Sequence, residues 1–211
     1  WKMNRIKQYL LIFIAGIWGL VSFPAIVAEL DSSNPYVLAN TVAERTFSEL
    51  EKNADKLSDL NYCRALINRE LMPYIDVKYA AYKVMGTSLN DISKEDRELF
   101  SNAFAQYLEK TLTDTLHKYT DQTLIKSPVS EPAADASIVS VKLGIQKPGE
   151  AVVNLVLKCR RNTKTGEWKA FDLIAENVSV LDAKAAEIAP IISKNGIKAA
   201  IEALNKNVQQ H

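Results

Sequence analysis

Histidine is almost missing from this chain: His117 and His211 are the only two in 211 residues. A metal site built on imidazoles, or a nucleophile with a histidine base, has little to draw on. Glycine is scarce too, with seven in all, and none flanks a nucleophilic serine or falls in a phosphate-cradling loop. The two cysteines, Cys63 and Cys159, lie far apart in sequence, and no cluster of Cys, His and acidic residues has metal-ligand spacing. Each sits in an apolar context, where a free thiol serves as a small hydrophobe, although closing so long a loop as a disulfide would be stabilising. No charge of one sign dominates, with 26 basic residues against 25 acidic, which is poor footing for a nucleic-acid reader. Asp76 and Asp172 are the acids inside distinct motifs. Asp76 reads as a helix cap and Asp172 as a strand residue that bonds backbone groups, so no set of catalytic roles can be assigned. Internal repeats and low-complexity tracts are absent as well.

What is present begins with Lys2, Arg5 and Lys7 ahead of an apolar run from Tyr9 to Ala28. A positive start, an apolar middle and a small residue at the end have the form of a secretory signal peptide spanning 1–28, leaving a single domain over 29–211; the alternative is an uncleaved anchor. Without the leader cations the balance turns slightly acidic. Asn34-Pro35 then caps a helix whose inner stripe is Leu38, Val42, Thr46, Phe47 and Leu50. Cys63, Leu66, Ile67 and Leu71 recur at helical spacing up to Pro73, where the run must break. Asp76 caps a second short helix that Gly86 closes. Ser93, followed by Asp96, opens the clearest amphipathic helix, with Phe100, Phe104, Leu108, Leu112 and Leu116 on its apolar side.

Past Tyr119 the period changes to alternation. Gln122 to Ser127 is a short strand, Val139 to Ile145 a half-buried one, and Pro148-Gly149 turns the chain into a partner carrying Val153, Leu155, Leu157 and Cys159 on one face. A further strand runs from Trp168 to Asn177, and helical patterns follow over 185–192 and after Asn195-Gly196. Helices followed by strands predict an α+β fold, an antiparallel four-stranded sheet with several helices packed on it.

Two stretches carry a family resemblance. Glu70-Leu71-Met72-Pro73-Tyr74-Ile75-Asp76, continued by Lys78-Tyr79-Ala80 and Met85-Gly86, is one; Thr165 to Ser179, with Trp168, Phe171-Asp172 and Val178-Ser179, is the other. Together with Asn34-Pro35 and Lys194-Asn195-Gly196-Ile197, they resemble the MlaC family of periplasmic phospholipid shuttles over about residues 34 to 205. Pro190 departs from the family pattern, and the pattern does not call for a cysteine pair.

The resemblance implies a non-enzymatic periplasmic carrier, a monomer with no cofactor, whose cargo is a phospholipid held in a cavity between sheet and helices. Its partners would be an outer-membrane lipoprotein complex and an inner-membrane ABC transporter complex, in the service of outer-membrane lipid asymmetry. The expected lining is Leu71, Tyr74 and Ile75 at the helix break, Phe104, Leu108 and Leu112 on the long helix, and Val141, Leu143, Val153, Leu155, Leu157, Phe171 and Leu173 on the sheet. A filled core selects the same side chains, so a periplasmic protein-binding or assembly module is the alternative. Between Ile138 and Ala170 seven cations face two acids. Among them Lys158, Arg160 and Arg161 are expected either to guard strand edges or to dock a partner.

Overall fold

The computed structural model describes residues 30–209. The expected leader over 1–28 and His211 lie outside the described residues.

Helix α1, Pro35–Lys52, starts where its sequence requires: the Asn34 side chain accepts from the N–H groups of Tyr36 and Val37, and Pro35 occupies the first turn. A 3-10 turn, Ala54–Lys56, leads into α2, Leu60–Glu70. Pro73 then confines the chain to one 3-10 turn, Met72–Tyr74, before α3, Val77–Met85. Gly86 closes α3 at φ +56°, and an added Cβ there would meet nothing within 4 Å, so it is the backbone conformation that favours glycine. The long helix α4, Lys94–His117, begins at the expected cap, Ser93, whose hydroxyl accepts from the Asp96 N–H.

The sheet has five strands rather than four: β1 Thr123–Ile125, β2 Ile138–Gln146, β3 Val153–Arg161, β4 Trp168–Ala175 and β5 Val178–Ser179, antiparallel and adjacent in sequence order. The extra strand arises because Glu176 (φ 47°) and Asn177 (φ 68°) both turn left-handed and send the chain back along β4. Asparagine tolerates that region readily and glutamate does not. Glu176 is held there from outside, its N–H donating to the Asn154 carbonyl at 3.1 Å and its carboxylate accepting from the Asn154 N–H. A register shift between Lys158 and Cys159 leaves Phe171 as an extra residue on β4.

Helix α5, Val180–Asn195, starts five residues before the apolar pattern, because Ser179 caps it through the Asp182 N–H and Asp172 accepts from the Leu181 N–H. It also runs through Pro190. Ala186 and Pro190 are both exposed, so the carbonyl that loses its helical donor faces water. Helix α6, Ile197–Gln209, completes the fold.

Among the described residues, two apolar clusters join the helices. One gathers Ala80, Ala81, Val84 and Met85 of α3, Phe100, Ala103 and Phe104 of α4, Ile188 and Ile192 of α5, and Ala200 and Leu204 of α6. The other joins Leu50, Leu57, Cys63, Leu66, Ile67 and Leu116. Helix α4 packs on α2, α3 and α6, while α1 reaches β1, β2 and β4.

Candidate functional site

The Glu70–Asp76 stretch is a joint fixed at both ends. Glu70 is buried, and its carboxylate meets Arg45 of α1 at 3.0 Å and Arg69 at 2.7 Å; Arg69 also reaches Glu49 at 3.0 Å. A buried carboxylate costs several kcal/mol unless paired, so these guanidiniums decide whether α2 can sit against α1. At the other end Asp76 accepts from the Tyr79 N–H at 3.0 Å, pairs with Arg160 of β3 at 2.7 Å, and donates its own N–H to the Ala170 carbonyl at 2.7 Å. Between these anchors Leu71, Tyr74 and Ile75 are half-buried. Leu71 and Leu112 of α4 both pack against the second cluster. Leu108, one turn earlier on α4, is half-buried too.

On the sheet, register aligns Val141 with Leu157 and Leu157 with Leu173, then Leu143 with Leu155 and Leu155 with Ala175, and finally Ile145 with Val153. Alternation along the strands puts all of these on one face. Val141 is wholly buried, Leu143, Leu155, Leu157 and Leu173 are half-buried, and Val153 is exposed. Phe104 and Phe171 belong instead to the packed helical cluster: Phe104 lies parallel to Phe100 at 6.4 Å, and Phe171 meets Tyr79 edge-on at 5.0 Å. The expected lining omits Ile145 and Ala175, which the register adds to the face. Ile145 continues the β2 alternation and Ala175 follows Leu173 by the same two-residue step; what the β4 bulge hides from the sequence is the place of Phe171, which joins the helical cluster instead.

Lys158, Arg160 and Arg161, expected to guard strand edges or to dock a partner, do not form one patch. Lys158 and Arg160 point to the face opposite Leu157, Lys158 in register with Ser140 and Asp172. Arg160 is committed to Asp76 and lies over the Tyr79 ring at 4.2 Å. Arg161 turns the other way, donating to the Ala134 carbonyl at 2.9 Å and lying 5.6 Å from the Trp168 ring. Nor do they guard an edge, since β3 is the middle strand. A cleft of about 320 Å³ beside the joint is lined by Ile75, Asp76, Lys78, Arg160, Glu167 and Lys169 among others. A second, of about 510 Å³, lies apart from the joint between α1 and the Tyr119–Lys126 segment.

His117 points Nδ1 at the Leu57 carbonyl, 2.6 Å away, and the Cys63 thiol shares that oxygen. Cys63 and Cys159 are free and buried, and burial pushes the Cys159 thiol up to about 12. Among the described residues no group of three or more His, Cys, Asp or Glu is placed to hold a metal ion. Asp172 is taken up by fold-holding bonds, from the Ser179 hydroxyl at 2.7 Å and the Leu181 N–H at 3.0 Å.

Comparison with known proteins places this architecture. A solved phospholipid-binding protein from Ralstonia solanacearum, in complex with a phospholipid, superposes with a TM-score of 0.72 at 19% identity, over 83% of this chain and 97% of that one. The Haemophilus influenzae protein named intermembrane phospholipid transport system binding protein MlaC is 30% identical over 193 residues, 90% of each chain. The sequence profile described as MlaC protein matches residues 40–206. The joint, the bulged β4 and the helices around them are therefore those of an MlaC family member, and the chain belongs to that family.

Proposed function

We propose that this protein binds a phospholipid and carries it between two membranes, with the acyl chains against the apolar face of β2, β3 and β4. The observation that carries the reading is the state of that face: Leu143, Leu155, Leu157 and Leu173 are large, aliphatic and only half-buried. A sheet face that merely filled a core would bury such side chains, as the helical cluster does. Family membership and the phospholipid-binding relatives support the same reading. Leu71, Tyr74, Ile75, Leu108 and Leu112 complete the lining in this proposal.

The energetics explain why a carrier should hand its cargo over by contact. Two acyl chains of roughly fifteen methylenes, at about 0.8 kcal/mol each, gain on the order of 20 kcal/mol by leaving water. Release into water would be far too slow, so transfer requires docking at an outer-membrane lipoprotein complex and an inner-membrane ABC transporter complex. The leader pattern over 1–28 supports a periplasmic location. No enzymatic step and no cofactor enter the reading.

Transfer of a fluorescent phospholipid between donor and acceptor vesicles tests it. The protein should accelerate transfer in proportion to its concentration, and Leu157→Trp, which fills the face, should abolish most of the acceleration. Vesicles that exchange lipid no faster with the protein than without it would favour the filled-core module. For docking, Lys158→Glu alone is the informative variant, because reversing Arg160 would also break the Asp76 anchor. Unchanged affinity for the membrane complexes would remove Lys158 from the docking surface.

A further inference from the structure

The outer face of the sheet, turned away from Leu157, gathers cations that the chain does not neutralise. Register sets Lys169 directly opposite Arg160, Ile138 on the other side of Arg160, and Ser140 opposite Lys158; Lys142 lies two residues beyond Ser140. Alternation places all of them on that one face. Like charges directly opposite on antiparallel strands destabilise the pairing, so Arg160 and Lys169 stand together at a cost. Asp76 meets Arg160 at 2.7 Å, but the neighbouring acids are taken up elsewhere: Glu167 accepts from the Thr165 hydroxyl at 2.9 Å, and Asp172 holds the Ser179 hydroxyl and the Leu181 N–H. Among the described residues Lys142, Lys158 and Lys169 make no ion pair, and Lys78, at the start of α3, lies only over the Tyr82 ring at 5.8 Å.

The cleft of about 320 Å³ beside the joint opens in this surface, with Lys78, Arg160 and Lys169 around it. Arg160 spends Nη1 on Asp76 and is held in place over the Tyr79 ring. Its remaining N–H groups have no acceptor among the described residues. A guanidinium carries five donors in a fork that fits a carboxylate two at a time, so Arg160 can take a second carboxylate without releasing the first. Ile138, opposite Arg160, is 49% exposed.

Resting on the carrier reading above, we propose that this face receives an acidic segment of a docking protein, with one carboxylate entering the cleft between Arg160 and Lys169 and an apolar side chain lying on Ile138. The arrangement suits a protein better than an anionic bilayer: bilayer phosphates lie in a plane, whereas Arg160 and Lys169 border a recess and Ile138 offers an apolar contact. A negative group placed there relieves the repulsion between the two cations, so a pair that weakens the free protein strengthens the complex. The face lies on the side of the sheet away from Leu157, so docking here leaves the proposed lipid lining covered.

A blocked pentapeptide of four glutamates around one leucine, titrated into the full chain at low salt and followed by amide NMR, tests this. The signals of Lys78, Arg160 and Lys169 should shift together and saturate, and high salt should reverse the shifts. Lys169→Glu supplies a carboxylate opposite Arg160 from within the chain, so it should raise Tm and weaken peptide binding by about tenfold or more, while Lys169→Arg should bind as wild type does. Lys198→Glu, at an exposed position on α6, makes the same change of charge and should bind almost normally. Inorganic phosphate should move the same signals only at much higher concentration, and phosphatidylglycerol vesicles should bind Lys169→Glu as well as wild type. Absent shifts at the cleft, an equal loss in Lys198→Glu, phosphate as effective as the peptide, or vesicle binding that falls in Lys169→Glu while peptide binding does not would each overturn the acidic partner. Transfer of fluorescent phospholipid between vesicles, measured on the same protein, separates the two readings. Transfer without peptide binding would remove the docking face alone, and peptide binding without transfer would remove the carrier reading alone.

Discussion

The helical cluster and the sheet face are made of similar side chains and end in different states. Around α4, Ala81, Met85, Phe100, Ile188, Ala200 and Leu204 are each no more than 1% exposed. On β2, β3 and β4 the leucines remain half-buried although their register is continuous. The lesson is that hydrophobicity fixes which residues turn inward, while the partner offered by the opposing layer fixes whether they fill space or border it. The α3, α4, α5 and α6 contacts interlock small alanines with large rings, so that cluster closes. The sheet face, in this account, keeps room for hydrocarbon.

That contrast should appear first in stability. Phe100→Ala removes a wholly buried ring from the closed cluster and should cost about 3–5 kcal/mol in denaturant unfolding, whereas Leu157→Ala on the open face should cost about 1–2 kcal/mol. Phospholipid binding should respond in the opposite order, with Leu157→Ala weakening retention more than Phe100→Ala does in protein that remains folded. Equal stability losses at the two sites would erase the distinction. At the boundary between the regions, Asp172→Ala strands the Leu181 N–H and should cost about 1–3 kcal/mol, read as a lower Tm.

Smaller effects sharpen the picture. Asp76→Asn loosens a partly exposed pair with Arg160 and should cost about 1 kcal/mol or less, a difference that shrinks in high salt. The effect of Cys159 shows only at high pH. Its thiol is raised from an ordinary value of 9.0 to about 12 by burial, so its neutral form favours the folded state. That contribution is complete below pH 9 and is lost as pH rises toward 12. Iodoacetamide at pH 8 should leave Cys159 unmodified in the native protein and label it on unfolding; rapid native labelling would show that its surroundings open.

Much of the architecture was legible because its signals are local. Asn34, Asp76 and Ser93 each cap the helix that follows, and Gly86 and Gly196 close helices in the left-handed region. Strand alternation placed Val141, Leu143, Leu155 and Leu157 on a common face. What stayed hidden depends on contacts distant in sequence. Glu176 takes a left-handed turn because Asn154 holds it, and β5 follows from that turn alone. Phe104 obeys the same helical period as Leu108 and Leu112, yet it meets Phe100 and Tyr107 in the closed cluster rather than the face. Arg160 reads as a free surface cation until β3 is laid beside the joint and Asp76 comes within 2.7 Å.

Native mass spectrometry of the protein, purified without detergent from its own cells, tests the central claim most directly. The account predicts a population carrying about one phospholipid per chain, as a pocket that encloses one cargo molecule requires, and loss of that population in Leu157→Trp. Repeated preparations in which the wild-type protein flies empty, with the sheet face intact, would contradict it.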